Sequence, residues 1–391
     1  MDFDETEGAF EAFSDAQLRK MAFVFTLMNQ PCLTRLFTLI LPKLVKLKTP
    51  INTVIKKLMF KQFFGGETLN DCKDTISSLE KSDVGTVLDY ACEGQQTLQE
   101  SRHIFAEVDR NINFISTSIL PKFVVIKASA MLSPDILECL TYQRELTLTQ
   151  KQQLDSFLSD MKTLCVHASK QDVSILIDAE ESWLQGGIDA LSLQLIQKYN
   201  TKRAVVYMTL QLYRHDRLAL LEKLTRQAQV EGWFLGIKLV RGAYMVQERQ
   251  RALDMHYQSP IYSNKKETDS AFDQAMSFSL DHNDKISLFI GTHNEQSIRL
   301  AIDLLIAKNI APKSLIFSQL FGMGNHLTFN LSRQGYLAYK YLPYGPFLQA
   351  IPYLLRRAQE NTALEGQTNR ELVMLRKELA RRRHCSLKLK V

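Results

Sequence analysis

Polar side chains recur in this sequence directly after short apolar runs, at Lys127, Asp178 and His293, and Lys238 lies near the end of another run. If those runs are parallel strands of a barrel, their carboxyl ends meet at one face. Such side chains then converge, so the pattern predicts one polar site. The same placement recurs at Gln211, Tyr213, Arg214, Arg241, Tyr244, Asn294, Gln319, Tyr341 and Tyr344.

Two adjacent arginines, Arg356 and Arg357, follow the last of these runs. Gly345-Pro346 suits a helix start, and Glu360 would lie one turn after the arginines. One interpretation is an ion-pair ladder on a helix surface. The other is a carboxylate site, because a guanidinium offers two parallel hydrogen bonds to a carboxylate.

Several classes of site have no support in the sequence. Gly322-Met-Gly324 begins a dinucleotide-binding pattern, but Leu327 stands where the third glycine belongs. The sequence has no Walker A, HExxH or GxSxG motif. Its cysteines form no CxxC pair and no zinc-ligand spacing, so we expect reduced thiols and no metal. They are Cys32, Cys72, Cys92, Cys139, Cys165 and Cys385.

Eight apolar runs alternate with helical stretches, which predicts βαβ units and an α/β fold with a parallel sheet. Eight units favour a closed (β/α)8 barrel over an open sheet. The predicted strands are Val84–Cys92, Phe123–Lys127, Val173–Asp178, Ala204–Gln211, Phe234–Val240, Ile286–Gly291, Ser314–Gln319 and Tyr336–Leu342.

The 391 residues exceed the roughly 250 of a typical barrel. We therefore expect an N-terminal helical arm (1–83), the barrel (84–366) and a C-terminal tail (367–391). We expect the tail to be helical at first, then basic and disordered from about Arg381.

The net charge of +6 is mild, so a dedicated nucleic-acid binder is not indicated. Residues 33–63 alternate apolar side chains with lysines. This pattern fits either a solvated helix face on the barrel or contact with a membrane surface. The acidic N-terminus resembles neither a secretory signal nor a transit peptide, and no apolar run is long enough to span a membrane.

Four segments resemble the proline dehydrogenase family. They are LIDAEESW (176–183), KLVRGAYM (238–245), THNEQS (292–297) and YLPYGPFLQAIPYLLRRAQEN (341–361). The resemblance runs from about Phe60 to Leu375. It implies a distorted (β/α)8 barrel whose C-terminal helix caps the active site. It also implies FAD as cofactor, oxidation of L-proline to Δ1-pyrroline-5-carboxylate and a quinone as electron acceptor.

The resemblance also implies roles for individual residues. Lys127, Arg356 and Arg357 match residues that bind the substrate carboxylate. Tyr341 matches a tyrosine that packs on the proline ring, Asp178 and Tyr244 match pocket residues, and Glu360 matches a position that orients the arginines. The positions that match flavin-binding residues are Gln211, Lys238, Val240, Gly242, Thr268, Thr292, His293 and Asn294.

Two positions differ among members of this family. Lys238 replaces an arginine that some bacterial members have near the flavin. Tyr341 stands where hydroxyproline enzymes carry a smaller residue, so its phenol favours proline over 4-hydroxyproline. Hydroxyproline dehydrogenase stays an alternative, as does a lyase or aldolase that forms a Schiff base at Lys127 or Lys238. A membrane or nucleic-acid adaptor that uses Lys43–Lys61 is the non-enzyme alternative.

The expected location is the cytoplasm or the inner face of the cytoplasmic membrane. For a eukaryotic protein whose leader has been removed, it is the mitochondrial matrix or inner membrane. The expected partners are L-proline and a quinone, with peripheral membrane contact and without nucleic acid.

Overall fold

The computed structural model describes residues 3–30, 56–91, 97–351, 353–355 and 367–388. Its eight parallel strands form a closed barrel in chain order. They are β1 (Val84–Tyr90), β2 (Lys122–Ile126), β3 (Val173–Ile177), β4 (Val206–Gln211), β5 (Leu235–Val240), β6 (Ile286–Gly291), β7 (Leu315–Leu320) and β8 (Leu337–Tyr344). All eight predicted strands are confirmed, with boundaries within two residues of the prediction.

Helices precede the barrel and alternate with its strands. In chain order they are α1 (Glu7–Phe10), α2 (Asp15–Met28), α3 (Lys61–Phe63), α4 (Leu69–Glu80), α5 (Leu98–Ile115), α6 (Ala128–Met131), α7 (Pro134–Thr141), α8 (Leu148–Lys170), α9 (Ser182–Tyr199), α10 (Arg217–Glu231), α11 (Met245–Asp254), α12 (Lys265–Asp281), α13 (Glu295–Ala307), α14 (Asn325–Arg333) and α15 (Gln367–Lys388). A π-helical turn (Lys56–Phe60) leads into α3, and a 3-10 turn (Pro312–Ser314) precedes β7.

The strands read as continuous apolar runs because both faces of a parallel barrel strand are covered. In β3, all five residues are buried. Inside the barrel, Phe123 of β2 contacts Tyr207 of β4 and Phe289 of β6 edge-to-face. Side chains from alternate strands form such a layer, as expected for this fold.

Four of the described helices begin with a capping box. In α5, Thr97 accepts a hydrogen bond from the Glu100 backbone N–H, and the Glu100 carboxylate accepts one from the Thr97 backbone N–H. Ser14, Thr68 and Thr147 do the same for α2, α4 and α8. Each box satisfies backbone donors that a helix start leaves without intrahelical partners.

The chain forms two compact units, Val87–Ser318 and a second one made of Met1–Thr86 with Gln319–Val391. In the second unit, α15 packs against α2 and α1 packs against α14. Near the barrel start, a Cβ on Gly85 would lie 2.1 Å from the ring of Tyr339, so this strand position needs glycine.

Acidic groups near the N-terminus pair with basic groups of α15. Asp4 contacts Arg370 at 2.7 Å, and Asp15 contacts Arg382 at 3.0 Å. Residues 381–388 are helical. The predicted disorder from about Arg381 is therefore wrong for these residues, because Arg382 is held by Glu378 and by two backbone carbonyls of the N-terminal segment.

Among the described residues, we find no helix that combines the length and the hydropathy of a membrane span. The predicted basic segment 33–63 lies mostly outside the described residues; its last part holds the π-helical turn and α3. Cys72, Cys139, Cys165 and Cys385 are thiols, and burial raises the pKa of Cys72 and of Cys165 to about 12. Cys32 and Cys92 lie outside the described residues.

Candidate active site

The predicted polar residues of the Val87–Ser318 unit lie at the carboxyl ends of neighbouring strands. Lys127 and Asp178 directly follow β2 and β3, Gln211 ends β4, and Thr292 follows β6. In a barrel these ends open on the face where active sites are built. The strand order therefore brings these side chains to one face, as predicted.

Lys127 forms a buried ion pair with Asp89 of β1. The ammonium group lies 3.2 Å from both carboxylate oxygens, and the exposed fractions of the two side chains are 10% and 2%. Two hydrogen bonds to one carboxylate fix the direction of the lysine side chain. Asp89 was not among the predicted site residues. Its signal was a single acidic residue inside an otherwise uncharged strand.

Lys238 of β5 forms a second buried ion pair, with Asp178. Lys238 Nζ lies 2.5 Å from Asp178 Oδ1, and the exposed fractions of the side chains are 6% and 17%. The resemblance gave these residues to the flavin and to the substrate pocket, respectively. In the structure the two side chains are in contact, so the position assigned to the flavin adjoins the position assigned to the substrate pocket.

Gln211 joins two loops of the site through its amide. Its Nε2 donates to the Glu180 carbonyl at 2.7 Å, and its Oε1 accepts from the Ala243 N–H at 3.1 Å. The Glu180 carboxylate in turn accepts from the Ser129 N–H, two residues after Lys127. Gln211 and Glu180 are both buried, so this network fixes the backbone around the lysine and aspartate pairs.

The loop after β5 has an unusual backbone at Gly242, where φ is +140°. A Cβ there would lie 2.6 Å from three ring carbons of Tyr213, so the aromatic ring packs directly on this glycine. Val240, the last residue of β5, and Tyr244, the N-cap residue of α11, are both half-buried. The Tyr213 ring therefore supports the loop at Gly242, where no side chain covers the backbone.

After β6, Thr292, His293 and Asn294 form a tight turn into α13. The Thr292 hydroxyl accepts from the Asn294 N–H at 3.1 Å and from Arg241 at 2.8 Å. Asn294 Oδ1 caps α13 by accepting from the Gln296 and Ser297 N–H groups. Asn294 Oδ1 therefore has a structural role, as the cap of α13.

Thr268 lies in the first turn of α12, where its hydroxyl donates to the Asn264 carbonyl at 3.4 Å. Its neighbour Asp269 contacts Arg241 at 2.6 Å. Thr268, a predicted flavin residue, therefore lies next to Asp269, which anchors the loop after β5 through Arg241. Among the described contacts, Thr268 itself makes none to that loop.

In the second unit, Tyr341 lies on β8 and is 7% exposed. Its carbonyl accepts from the Phe321 N–H. Arg356, Arg357 and Glu360 lie outside the described residues. Within the described ranges, no cluster of three histidine, cysteine or acidic side chains could hold a metal ion.

The sequence matches the proline dehydrogenase family over residues 72–370. The carbapenem antibiotics biosynthesis protein CarD of Pectobacterium carotovorum is 31% identical over 320 residues, which cover 82% of this chain and 83% of that protein. Mitochondrial proline dehydrogenase 1 of Dictyostelium discoideum is 31% identical over 382 residues, covering 86% of this chain and 67% of that protein.

The human mitochondrial proline dehydrogenase 1 is 34% identical over 271 residues, which cover 68% of this chain and 44% of that protein. Among solved structures, proline utilization A (PutA) from Bdellovibrio bacteriovorus, inactivated by N-propargylglycine, matches with a TM-score of 0.73. It is 19% identical, and the match covers 93% of this chain and 38% of that one. At this identity the structural likeness shows the fold alone.

Proposed function

Because the chain belongs to the proline dehydrogenase family, we propose that it oxidises L-proline to Δ1-pyrroline-5-carboxylate with FAD as cofactor and passes the electrons to a quinone. The observation that carries the proposal is the pair of buried lysine–aspartate contacts, Lys127–Asp89 and Lys238–Asp178, at adjoining strand ends. They supply fixed charges on the face where this fold binds small polar substrates.

The substrate carboxylate binds Lys127, Arg356 and Arg357 in this proposal. A buried carboxylate is costly without cationic partners, and several fixed cations also orient it. Tyr341 packs on the proline ring, and Asp178 and Tyr244 line the pocket. Glu360 orients the two arginines. The result is a substrate held in one orientation before reaction, which lowers the entropic part of the barrier.

The donor set at the ends of β4, β5 and β6 fits a flavin dinucleotide. Lys238 brings positive charge, and Thr292 and His293 add polar groups directly after β6. Cationic and N–H donors suit phosphates and ring carbonyls. Gln211, Val240, Gly242, Thr268 and Asn294 complete the proposed flavin-binding set. When bound, the flavin supplies at N5 the acceptor for the hydride that leaves proline C5.

The Schiff-base alternative is disfavoured by the two ion pairs. A lysine attacks a carbonyl only as a neutral amine. In these pairs the Asp89 and Asp178 carboxylates hold the amino groups of Lys127 and Lys238 by hydrogen bonds, which would have to break before either lysine could attack a carbonyl.

The decisive experiment mixes the purified protein with L-proline without oxygen and follows the flavin absorbance near 450 nm. We expect a flavin band that proline bleaches and that 4-hydroxyproline bleaches only weakly. A band that responds to 4-hydroxyproline instead would support the hydroxyproline enzyme. A protein without a flavin band after reconstitution with FAD would contradict the proposal.

We also propose that residues 33–63 bring the enzyme to a membrane surface, where a quinone is available. The basic and apolar alternation of this stretch supports the proposal. Co-sedimentation with vesicles that contain anionic lipid tests it. Binding should fall when the lysines Lys43, Lys46 and Lys48 are replaced by glutamine; equal binding would contradict it.

A further inference from the structure

The guanidinium group of Arg241 contacts three elements besides its own loop. Nε donates to Asp269 of α12 at 2.6 Å, Nη1 to the Thr292 hydroxyl at 2.8 Å, and Nη2 to the Ser297 hydroxyl of α13 at 2.9 Å. Each of its three nitrogens thus holds a different part of the chain. Arginine suits this use because its donors are arranged in a rigid plane.

The surroundings keep this group in place. The Arg241 side chain is 17% exposed, and its Cζ lies 4.4 Å from the centre of the fully buried Phe272 ring. Burial alone would raise the pKa of Asp269, but hydrogen bonds from Lys265 and Arg241 outweigh it and lower that pKa. The carboxylate is therefore charged at neutral pH, which strengthens the contact.

The contacts of Arg241 extend into the turn at residues 292–294. The Thr292 hydroxyl that accepts from Arg241 also accepts from the Asn294 N–H. Ser297, which Arg241 holds from the other side, donates to Asp273 at 2.6 Å. Removing the guanidinium would release the turn from the loop after β5 and from α12 at once.

We propose that Arg241 is a positioning residue for the flavin, which acts by holding the turn Thr292–Asn294 at the end of β6. The inference rests on the proposed function, since that turn is the proposed flavin-binding segment. A positioning role predicts weaker cofactor binding with little loss of turnover once the cofactor is bound.

The test compares Arg241→Gln and Arg241→Lys with the wild type by titrating apoprotein with FAD and following the quenching of flavin fluorescence. We expect the dissociation constant to rise about tenfold or more for glutamine, and less for lysine, which keeps one charged donor. At saturating FAD, kcat should stay within about twofold of the wild-type value.

The matched control is Arg203→Gln. Arg203 also makes several polar contacts, to Ser174, Ala204 and Asp172, but it precedes β4 at the opposite end of the barrel. Its replacement should leave FAD binding unchanged even where it lowers the unfolding temperature. Weakened FAD binding of equal size in this control would mean that the loss at Arg241 reflects general instability.

The proposal is overturned if Arg241→Gln binds FAD as tightly as the wild type, or if its kcat at saturating FAD falls more than about tenfold. Should Arg241→Gln fail to fold, Asp269→Asn carries the test, because it removes the anchor and keeps the arginine. We expect FAD binding of Asp269→Asn to weaken about threefold or more; unchanged binding would overturn the inference. A wild-type protein that binds no flavin would instead contradict the proposed function.

Discussion

At the scale of single residues, Lys127 and Lys238 at the strand ends of the site each have an aspartate that holds them before any substrate arrives. Asp89 contacts Lys127 through both of its oxygens. The structural contribution of Lys127 and its proposed contribution to substrate binding are therefore mixed in any single substitution. A double substitution can separate them.

We expect Lys127→Met to lower the free energy of unfolding by roughly 3 kcal/mol, because Asp89 loses a buried cationic partner. Asp89→Asn combined with Lys127→Met should recover most of that stability while KM for proline stays high. Urea unfolding and steady-state kinetics measure the two effects. Lys122→Met, at the start of the same strand, is the control. If stability and KM recover together, Lys127 has no separate role toward substrate.

Tyr341 should decide between proline and 4-hydroxyproline. It is almost fully buried on β8, so a serine there leaves space for an added hydroxyl. We expect Tyr341→Ser to raise the ratio of kcat/KM for 4-hydroxyproline to that for proline about tenfold. Tyr341→Phe keeps the ring and should leave the ratio unchanged. A ratio unaffected by serine would exclude steric selection at this position.

The contacts of single residues were the least predictable part of the site. Lys127 and Asp178 were found from their positions after strands. Asp89 was missed because it lies inside a run that reads as buried strand. The partners of Arg241 stand 28 to 56 residues along the chain, and no local pattern connects them.

At the scale of elements, a buried lysine on β8 and a buried glutamate on α15 form one electrostatic cluster. Lys340 donates to the Met323 carbonyl at 2.5 Å, and Glu371 accepts from the Gly324 N–H. Burial lowers the pKa of Lys340 to about 7, and the charge of Glu371 opposes that shift. The hydrogen bonds of Lys340 and Glu371 therefore link β8 and α15 to the loop at residues 323–324.

The pH dependence of this cluster has a definite sign. The unfolded chain holds the Lys340 proton up to a pKa near 10.5, whereas the folded protein releases it near 7. The folded state therefore gains stability from this group as pH rises from 7 towards 10.5. We expect the wild type to gain on the order of 1 to 3 kcal/mol relative to Lys340→Met between pH 7 and 9.5. Parallel stability curves, measured by urea unfolding, would contradict this.

Strands were easier to predict than the C-terminal helix. A parallel strand that is buried on both faces appears in the sequence as an apolar run, as in β3. Such a run can be identified without knowing which strands it pairs with. The last turns of α15 are basic and polar, and Arg382 is ordered by groups that lie near the N-terminus. The sequence of the tail alone does not contain that information.

At the scale of the whole chain, the N-terminal segment and α15 stabilise each other through ionic contacts. Glu378 is fully buried and accepts from Arg381 and Arg382, and Arg382 also donates to the Phe10 and Phe13 carbonyls. Hydrogen bonds to buried charged groups contribute more to the free energy of unfolding than exposed ion pairs do.

We expect Arg382→Gln to lower the free energy of unfolding by about 2 kcal/mol and to make α15 sensitive to protease. Arg376→Gln, on an exposed face of the same helix, should change neither quantity. Thermal unfolding with limited proteolysis measures both. Equal effects of the two substitutions would show that the buried contacts of Arg382 contribute nothing specific.

The glycine under the aromatic ring of Tyr213 also limits how the sequence can diverge. Two separate features exclude any side chain at Gly242: its positive φ, and the Tyr213 ring, which would lie 2.6 Å from a Cβ atom. Gly232, which ends α10, has a φ of +85° but nothing within 4 Å of its Cβ position. In a gene library randomised at both codons, asparagine should persist at 232 at a cost of about 1 kcal/mol, while glycine alone survives selection at 242.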